Sequence, residues 1–107
     1  MTTPSLTVSH RVVTEMVRVA ALEVPGVLKV SRGGAGWRAW LSGTPVRADV
    51  RAGTVRVRVW LVARPGHALR PLAAQVRQAV AATVERLLGL ELDRVDVVVD
   101  GVGPWGG

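Results

Sequence analysis

Apolar positions along the chain follow two different periods, and the change between them separates helices from strands. Between residues 9 and 23, valine, alanine and methionine recur every three or four positions, and this spacing returns between residues 69 and 88. In between, residues 46–51 and 55–61 alternate between apolar and polar side chains, which is typical of strands with one buried face. The pattern predicts two amphipathic helices with a β-hairpin between them, turning at Ala52-Gly53.

The apolar stripe of each helix predicts which side faces the core. Ser9 is a suitable N-cap for the first helix. Gly26 and Gly89 end the two helices, and each is followed by a branched aliphatic residue and a valine-rich strand. This helix–glycine–strand unit therefore occurs twice. The predicted stripes are Val12, Val13, Met16, Val17, Ala20 and Val24 in the first helix, and Leu69, Leu72, Ala73, Val76, Val80, Val84 and Leu87 in the second.

Short strands at residues 5–8, 27–31 and about 92–100 complete the predicted order β-α-β-β-β-α-β. With one apolar stripe on each helix and one apolar face on the strands, we expect an α+β fold. Its form would be a two-layer sandwich, with the two helices packed on one face of a single mixed sheet. Residues 1–102 are expected to form a single domain, and residues 103–107 a flexible tail rich in glycine with one tryptophan.

Composition adds constraints on the environment and the partners. The 107 residues include no cysteine, so disulfides and thiolate metal sites are excluded. The absence of cysteine also predicts an intracellular location. The chain has no apolar run long enough to span a membrane and lacks the basic start and apolar block of a signal peptide. The net charge of +6 comes from thirteen arginines and one lysine. Either an anionic partner or the coding bias of a GC-rich genome accounts for it, and the dispersed arginines favour the second.

Two sets of residues are candidates for binding a partner. The first lies on the polar face of the hairpin, where arginine and tryptophan suit a protein interface or stacking on a nucleic acid. Carboxylates on the same face, such as Asp49, favour a protein partner over a phosphate backbone. The other interpretation is a polar face that is solvated and binds no partner. The second set, with Leu41 beside it, has three alternatives: it inserts into a partner's groove, lies at a lipid interface, where tryptophan is favoured, or packs on the sheet edge. The candidates are Arg47, Arg51, Arg56, Arg58 and Trp60 in the first set, and Trp37 and Trp40 in the second.

The residue types that carry catalysis are sparse. His10 and His67 both stand beside helix starts, without a cysteine or an arranged serine to activate. Asp93, Asp96 and Asp100 suggest a metal, but Asp96 and Asp100 lie on the wet face of the last strand, and pairs with arginines across strands are the better explanation. The glycine-rich residues 33–36 follow a strand and no P-loop lysine follows them, so phosphate binding is not indicated. We therefore assign no catalytic, cofactor-binding or metal-binding residue.

With these motifs placed, the chain resembles the bacterial alkaline shock, or cell-envelope stress response, family from about residue 6 to residue 102. The resemblance rests on VPGV at residues 24–27, PGHALRPLAAQVRQAV at residues 65–80 and LLGLELDRVDVVVDGV at residues 87–102. Pro65, Arg77 and Asp96 depart from the residues usual in that family. The resemblance implies a non-enzymatic protein at the cytoplasmic side of the envelope, held near the membrane by a membrane-anchored partner and not inserted itself. Homo-oligomerisation is implied on the same grounds.

These observations lead to a functional hypothesis with one alternative. The hypothesis is a non-catalytic scaffold or adaptor of the cell-envelope stress response that binds itself and a membrane-anchored protein. The alternative is a nucleic-acid-binding module that uses the arginine-lined sheet face. A small-molecule enzyme would need a pocket with converging polar groups, for which the sequence gives no sign.

Overall fold

The computed structural model describes residues 9–32 and 44–103, and within them the predicted α+β class is confirmed. Two helices and a four-stranded sheet form the described part of the chain. The predicted strand at residues 5–8 and the predicted tail at residues 104–107 lie outside the described residues. The elements, in chain order, are α1 (His10–Leu22), β1 (Val27–Val30), β2 (Val46–Arg51), β3 (Thr54–Ala63), α2 (Leu69–Ala82) and β4 (Glu91–Val102).

Helix α1 starts where the sequence predicts, because the side chain of Ser9 accepts a hydrogen bond from the amide of Val12. Its buried side is rotated from the predicted stripe. Val12 is 45% exposed, whereas Ala21 is fully buried. Residues spaced by three and four positions share one helix face. The stripe that meets the sheet consists of Val13, Val17, Ala20, Ala21 and, just after the helix, Val24.

Helix α2 buries Leu72, Val76 and Val80 as predicted, but its end differs from a regular helix. A π-helical turn spans Thr83–Leu87, and the amide of Leu88 donates to the carbonyl of Thr83, five residues back, at 3.2 Å. This turn contains one residue more than an α-helical turn, so the next side chain that faces the core comes one position later in the sequence. The predicted inward position of Leu87 is therefore wrong, and its side chain is 69% exposed. The predicted inward position of Leu69, at the start of α2, is also wrong, since its side chain is 41% exposed.

Strand β3 is the centre of the sheet and pairs on both sides. On one side, β2 and β1 lie end to end and both run antiparallel to β3, with Asp49 opposite Arg56 and Val30 opposite Leu61. On the other side, β4 runs parallel to β3 along its whole length. The parallel pairing is possible because α2 crosses from the end of β3 to the start of β4.

One hydrophobic cluster joins both helices to the sheet. The core-facing residues of β3 are fully or almost fully buried, and they pack with the stripes of both helices. No polar or charged side chain is buried within residues 9–32 and 44–103. The interior of the described chain is therefore aliphatic, and the polar chemistry lies on the opposite face of the sheet. None of the described helices has the length and apolarity needed to cross a membrane.

Candidate protein-binding face

The register of three strands places a set of charged side chains together on the sheet face opposite the core. In β2 and β3, Arg47 lies opposite Arg58 and Asp49 lies opposite Arg56. In the parallel pair, Arg58 lies opposite Asp96. Alternation along each strand then brings the neighbouring charges to the same side. We call this set the charged face: Arg47, Asp49, Arg51, Arg56, Arg58, Arg94 and Asp96.

Carboxylates neutralise part of the arginine charge on this face. Asp96 is shared by two arginines, with Arg94 Nε at 3.0 Å from Oδ1 and Arg58 Nη2 at 3.6 Å from Oδ2. Arg56 Nε lies 2.6 Å from Oδ2 of Asp93, at the bulge where β4 slips one residue relative to β3. The pair of Arg58 with Asp96 is the arginine–aspartate contact across strands that the sequence predicts, and Asp93 forms a further pair with Arg56.

These pairs affect the protonation of their members. The hydrogen bond from Arg94, more than the charge of Arg94 and Arg58, holds the pKa of Asp96 below its ordinary value. The hydrogen bond that Arg56 donates to Asp93 raises the pKa of Arg56 above its ordinary value. Both groups are therefore ionised at neutral pH, and the face presents alternating fixed charges of both signs.

Arg47 is an exception on this face, because it forms no ion pair with the residues that the structure describes. It lines an open groove of about 590 Å³ together with Arg58, Arg94 and Asp96. The same groove reaches the edge of β2, where His10 Nε2 hydrogen-bonds the carbonyl of Ala48. A carbonyl only accepts, so this contact requires the Nε2–H form of the ring. An anionic side chain of a partner would find the Arg47 guanidinium available here.

Trp60 stands at the end of the charged face and at the base of a long connection. Its amide donates to the carbonyl of Pro45 at 2.8 Å, and its carbonyl accepts from the amide of Ser31 at 3.1 Å. One residue of β3 thus holds both ends of the segment that links β1 to β2. The guanidinium of Arg32 lies 3.8 Å from the centre of the Trp60 ring, and Arg58 lies at 5.8 Å. Arg32 Nε also donates to the carbonyl of Thr44 at 3.2 Å, which closes the base of the connection.

The match to a family model covers residues 2–104, almost the whole chain. The chain belongs to the alkaline shock protein 23 family, which is described as having a cell envelope-related function. The resemblance expected from the helix-ending and helix-entry motifs is therefore confirmed. No curated protein is significantly similar to the chain.

Solved structures share the fold of this family member. The structure titled "MamM-CTD 215-293" is 17% identical with a TM-score of 0.63, and the match covers 87% of this chain and 99% of that one. The structure titled "MamM CTD - Copper form" is also 17% identical, with a TM-score of 0.62 and coverage of 85% and 84%. Identity this low shows a shared fold and no more. Among residues 9–32 and 44–103, no group of three or more histidines and acidic residues could hold a metal ion.

The residues singled out by sequence fall into three groups in this alkaline shock family member. Arg47, Arg51, Arg56 and Arg58 share the charged face, and Trp60 adjoins it. Trp37 and Trp40 lie outside the described residues. His67 packs against Gly26, away from the charged face, whereas His10 contacts the edge of β2 and lines the same groove as Arg47.

Sequence reasoning missed two contacts that shape the site. The stacking of Arg32 on Trp60 joins residues from two different elements, and only the end-to-end placement of β1 and β2 brings them together. The bond of His10 to Ala48 fixes the start of α1 on the edge strand. Neither contact leaves a periodic signal in the sequence, because each depends on a single side chain reaching another element.

Proposed function

We propose that this chain is a non-catalytic adaptor of the cell-envelope stress response, which binds itself and a membrane-anchored protein. The two helices would cover one face of the sheet as the first layer, and the charged face would receive the partner. The observation that carries the proposal is the charged face itself, where fixed arginines and carboxylates alternate beside Trp60. Membership of a family with a cell envelope-related function supports the setting.

Charge of both signs favours a polypeptide partner. Asp96 sits between Arg58 and Arg94, so a phosphate backbone along the strands would meet a carboxylate as well as guanidinium groups. A protein segment with its own acidic and basic residues can match both. Arginine and tryptophan are also the residue types most enriched among interface residues that dominate binding energy. The proposed location is the cytoplasmic side of the membrane, reached through the partner.

The experiment compares two variants with the same change of net charge. Arg47→Glu with Arg58→Glu reverses two charges on the charged face, and Arg11→Glu with Arg70→Glu reverses two exposed charges on the helices. A photo-crosslinking residue at position 51 in whole cells should capture one defined membrane protein. The first variant should lose this product and leave the membrane fraction, and the second should keep both. Equal behaviour of the two variants, or no membrane protein captured, would contradict the proposal.

The alternative is binding of nucleic acid, and it is favoured by Arg47, which forms no ion pair within residues 9–32 and 44–103 and lies on the same sheet face as Trp60. In that case Trp60 would stack on a base while arginines contact phosphates. Binding would weaken steeply with salt, and Arg56→Glu with Arg58→Glu would abolish it. Retardation of single-stranded DNA or RNA in a gel, measured at two salt concentrations, decides this. No salt-sensitive retardation removes the alternative.

A further inference from the structure

Along the outer edge of β4, the backbone amides and carbonyls take part in no strand pairing within the described residues. β4 has 12 residues, and among the strands of residues 9–32 and 44–103 it pairs with β3 alone, on its inner side. A long edge strand of this kind is a template for pairing with another chain. It is also rich in valine, which favours the extended conformation that such pairing needs.

The hydrogen bonds of the sheet identify which residues of β4 face outwards. Both backbone groups of Trp60 are bonded on the β1 and β2 side, so its neighbours Val59 and Leu61 direct theirs towards β4. In a parallel ladder their bonds go to the β4 residue that lies between their partners, which is Val98. By alternation, Asp96 also faces inwards.

The backbone groups of the alternate residues of this stretch therefore face the open edge. Val95, Val97 and Val99 point their amides and carbonyls away from β3. A contact from α2 agrees with this orientation, because Arg77 Nε reaches the carbonyl of Val95 at 3.4 Å. A carbonyl bonded within the sheet would not be open to that side chain. The contact is long for a hydrogen bond, so a ladder bond can replace it.

We infer that β4 pairs antiparallel with β4 of a second copy of this chain, with Val97 of one copy opposite Val97 of the other. The product is a continuous sheet of eight strands with a two-fold axis at Val97. The inference rests on the self-association in the proposed function and adds the surface that carries it. A two-fold interface needs a self-complementary patch, and the outward valines repeat symmetrically about Val97.

The charges on β4 select this register from its neighbours. In the chosen register, Arg94 lies opposite Asp100 of the second copy, and this favourable pair occurs twice. Shifting the centre to residue 96 places Asp96 opposite Asp96 of the second copy. Shifting it to residue 98 places Asp96 opposite Asp100 of the second copy. Both shifts set like charges directly across the new ladder, which is destabilising.

The same register also brings apolar side chains of the two copies together. Val95 lies opposite Val99 of the second copy on the side that the helices cover, and Val97 meets its own symmetry mate. Val97 and Val99 are half-buried in the single chain and lie against the hydrophobic cluster. Pairing would cover their remaining exposed surface and extend the cluster across the axis.

A pair of cysteine variants tests the register, since the chain has no cysteine of its own. Directly opposite residues in a hydrogen-bonded antiparallel pair have Cα atoms about 5.5 Å apart, which is within the range of a disulfide. Val97→Cys should therefore form a disulfide-linked dimer under mild oxidation. Val99→Cys is the matched control, because its copies would lie about 13 Å apart. Efficient linkage of Val99→Cys, or no linkage of Val97→Cys, overturns the inference.

Proline variants test whether the two copies pair through the outer edge of β4. Val97→Pro removes an outward amide of β4 without removing a bond to β3, and Val50→Pro does the same on the outer edge of β2. In sedimentation, the unaltered chain should reach about twice its mass of 11.4 kDa. Val97→Pro should raise the dissociation constant at least about tenfold, and Val50→Pro should leave it unchanged.

The outcomes separate this inference from the adaptor function. A monomeric chain at every concentration, or a dimer that survives Val97→Pro, overturns the edge pairing alone. If circular dichroism shows that Val97→Pro is unfolded, the cysteine pair decides the question. A chain that pairs through β4 but captures no membrane protein contradicts the adaptor function and leaves the edge pairing standing.

Discussion

Gly26 lies so close to Leu72 that a Cβ added to it would come within 2.6 Å of Leu72 Cδ1 and 2.9 Å of His67 Nδ1. The turn after α1 therefore packs directly on the start of α2. The amide of Arg64 also donates to the carbonyl of Gly26 at 2.9 Å, so the backbone there is held from the β3 side as well. A side chain at this position has no room unless the buried Leu72 moves.

The first prediction concerns this contact. Gly26→Ala should lower the free energy of unfolding by about 1–3 kcal/mol, the usual cost of overpacking a core. Gly101→Ala is the control, because its Cβ would meet Val62 Cγ2 at 3.7 Å, an ordinary contact. That change should cost less than about 0.5 kcal/mol. Urea denaturation of both variants measures the difference, and equal losses would show that the packing at Gly26 is not the cause.

A second prediction tests the π-helical turn at the end of α2. Val84→Ala should cost about 2 kcal/mol, since it removes two methyl groups from a fully buried site. Leu87→Ala should change stability by less than about 0.5 kcal/mol, because that side chain is exposed. A regular α-helix would place Leu87 on the inner stripe and reverse its expected effect. Thermal unfolding of the two variants distinguishes the two geometries.

The third prediction follows from the lowered pKa of Asp96. Its ionised form is favoured in the folded state, so its stabilising contribution is present above the ordinary aspartate pKa. That contribution is lost as pH falls through the lower pKa of the folded state. Carboxyl NMR should show that Arg94→Gln moves the pKa of Asp96 upwards. Arg51→Gln should leave it in place, because Arg51 approaches Asp49 instead, at 3.5 Å. An unchanged pKa of Asp96 in Arg94→Gln would contradict the assigned hydrogen bond.

A fourth prediction compares the two guanidinium groups near Trp60. A double-mutant cycle of Arg32→Ala with Trp60→Leu should give a coupling energy of about 0.5–1 kcal/mol, typical of an exposed cation–π contact. The cycle of Arg58→Ala with Trp60→Leu should give a smaller value, because Arg58 lies at 5.8 Å from the ring centre and Arg32 at 3.8 Å. Chemical denaturation supplies both cycles. A larger coupling for Arg58 would refute the stacking of Arg32.

Local patterns carried the prediction of most elements, and long-range geometry accounts for what they missed. Alternation in residues 46–61 was enough to place Arg56 and Arg58 on one face, because strand period does not depend on context. The exposure of Val12 and the burial of Ala21 in α1 were not predicted, because both residues are compatible with an apolar stripe. Exposure of Leu87 depends on a π-helical turn that no residue type marks.

The site was predictable to the same extent. The charged face could be inferred from alternation, and the pairing of Asp96 with an arginine from strand adjacency. The stacking of Arg32 on Trp60 could not, since it requires knowing that β1 and β2 lie end to end against one strand. The position of β4 at the edge of the described sheet was likewise not predictable before the parallel pairing of β3 and β4 was known.

The two hydrogen bonds of Trp60 have a consequence for how this domain can be altered. Because a single β3 residue fixes the chain where it leaves β1 and where it enters β2, the alignment of the strands does not depend on the number of residues in between. This position is therefore a natural place to graft a recognition peptide or a reporter domain.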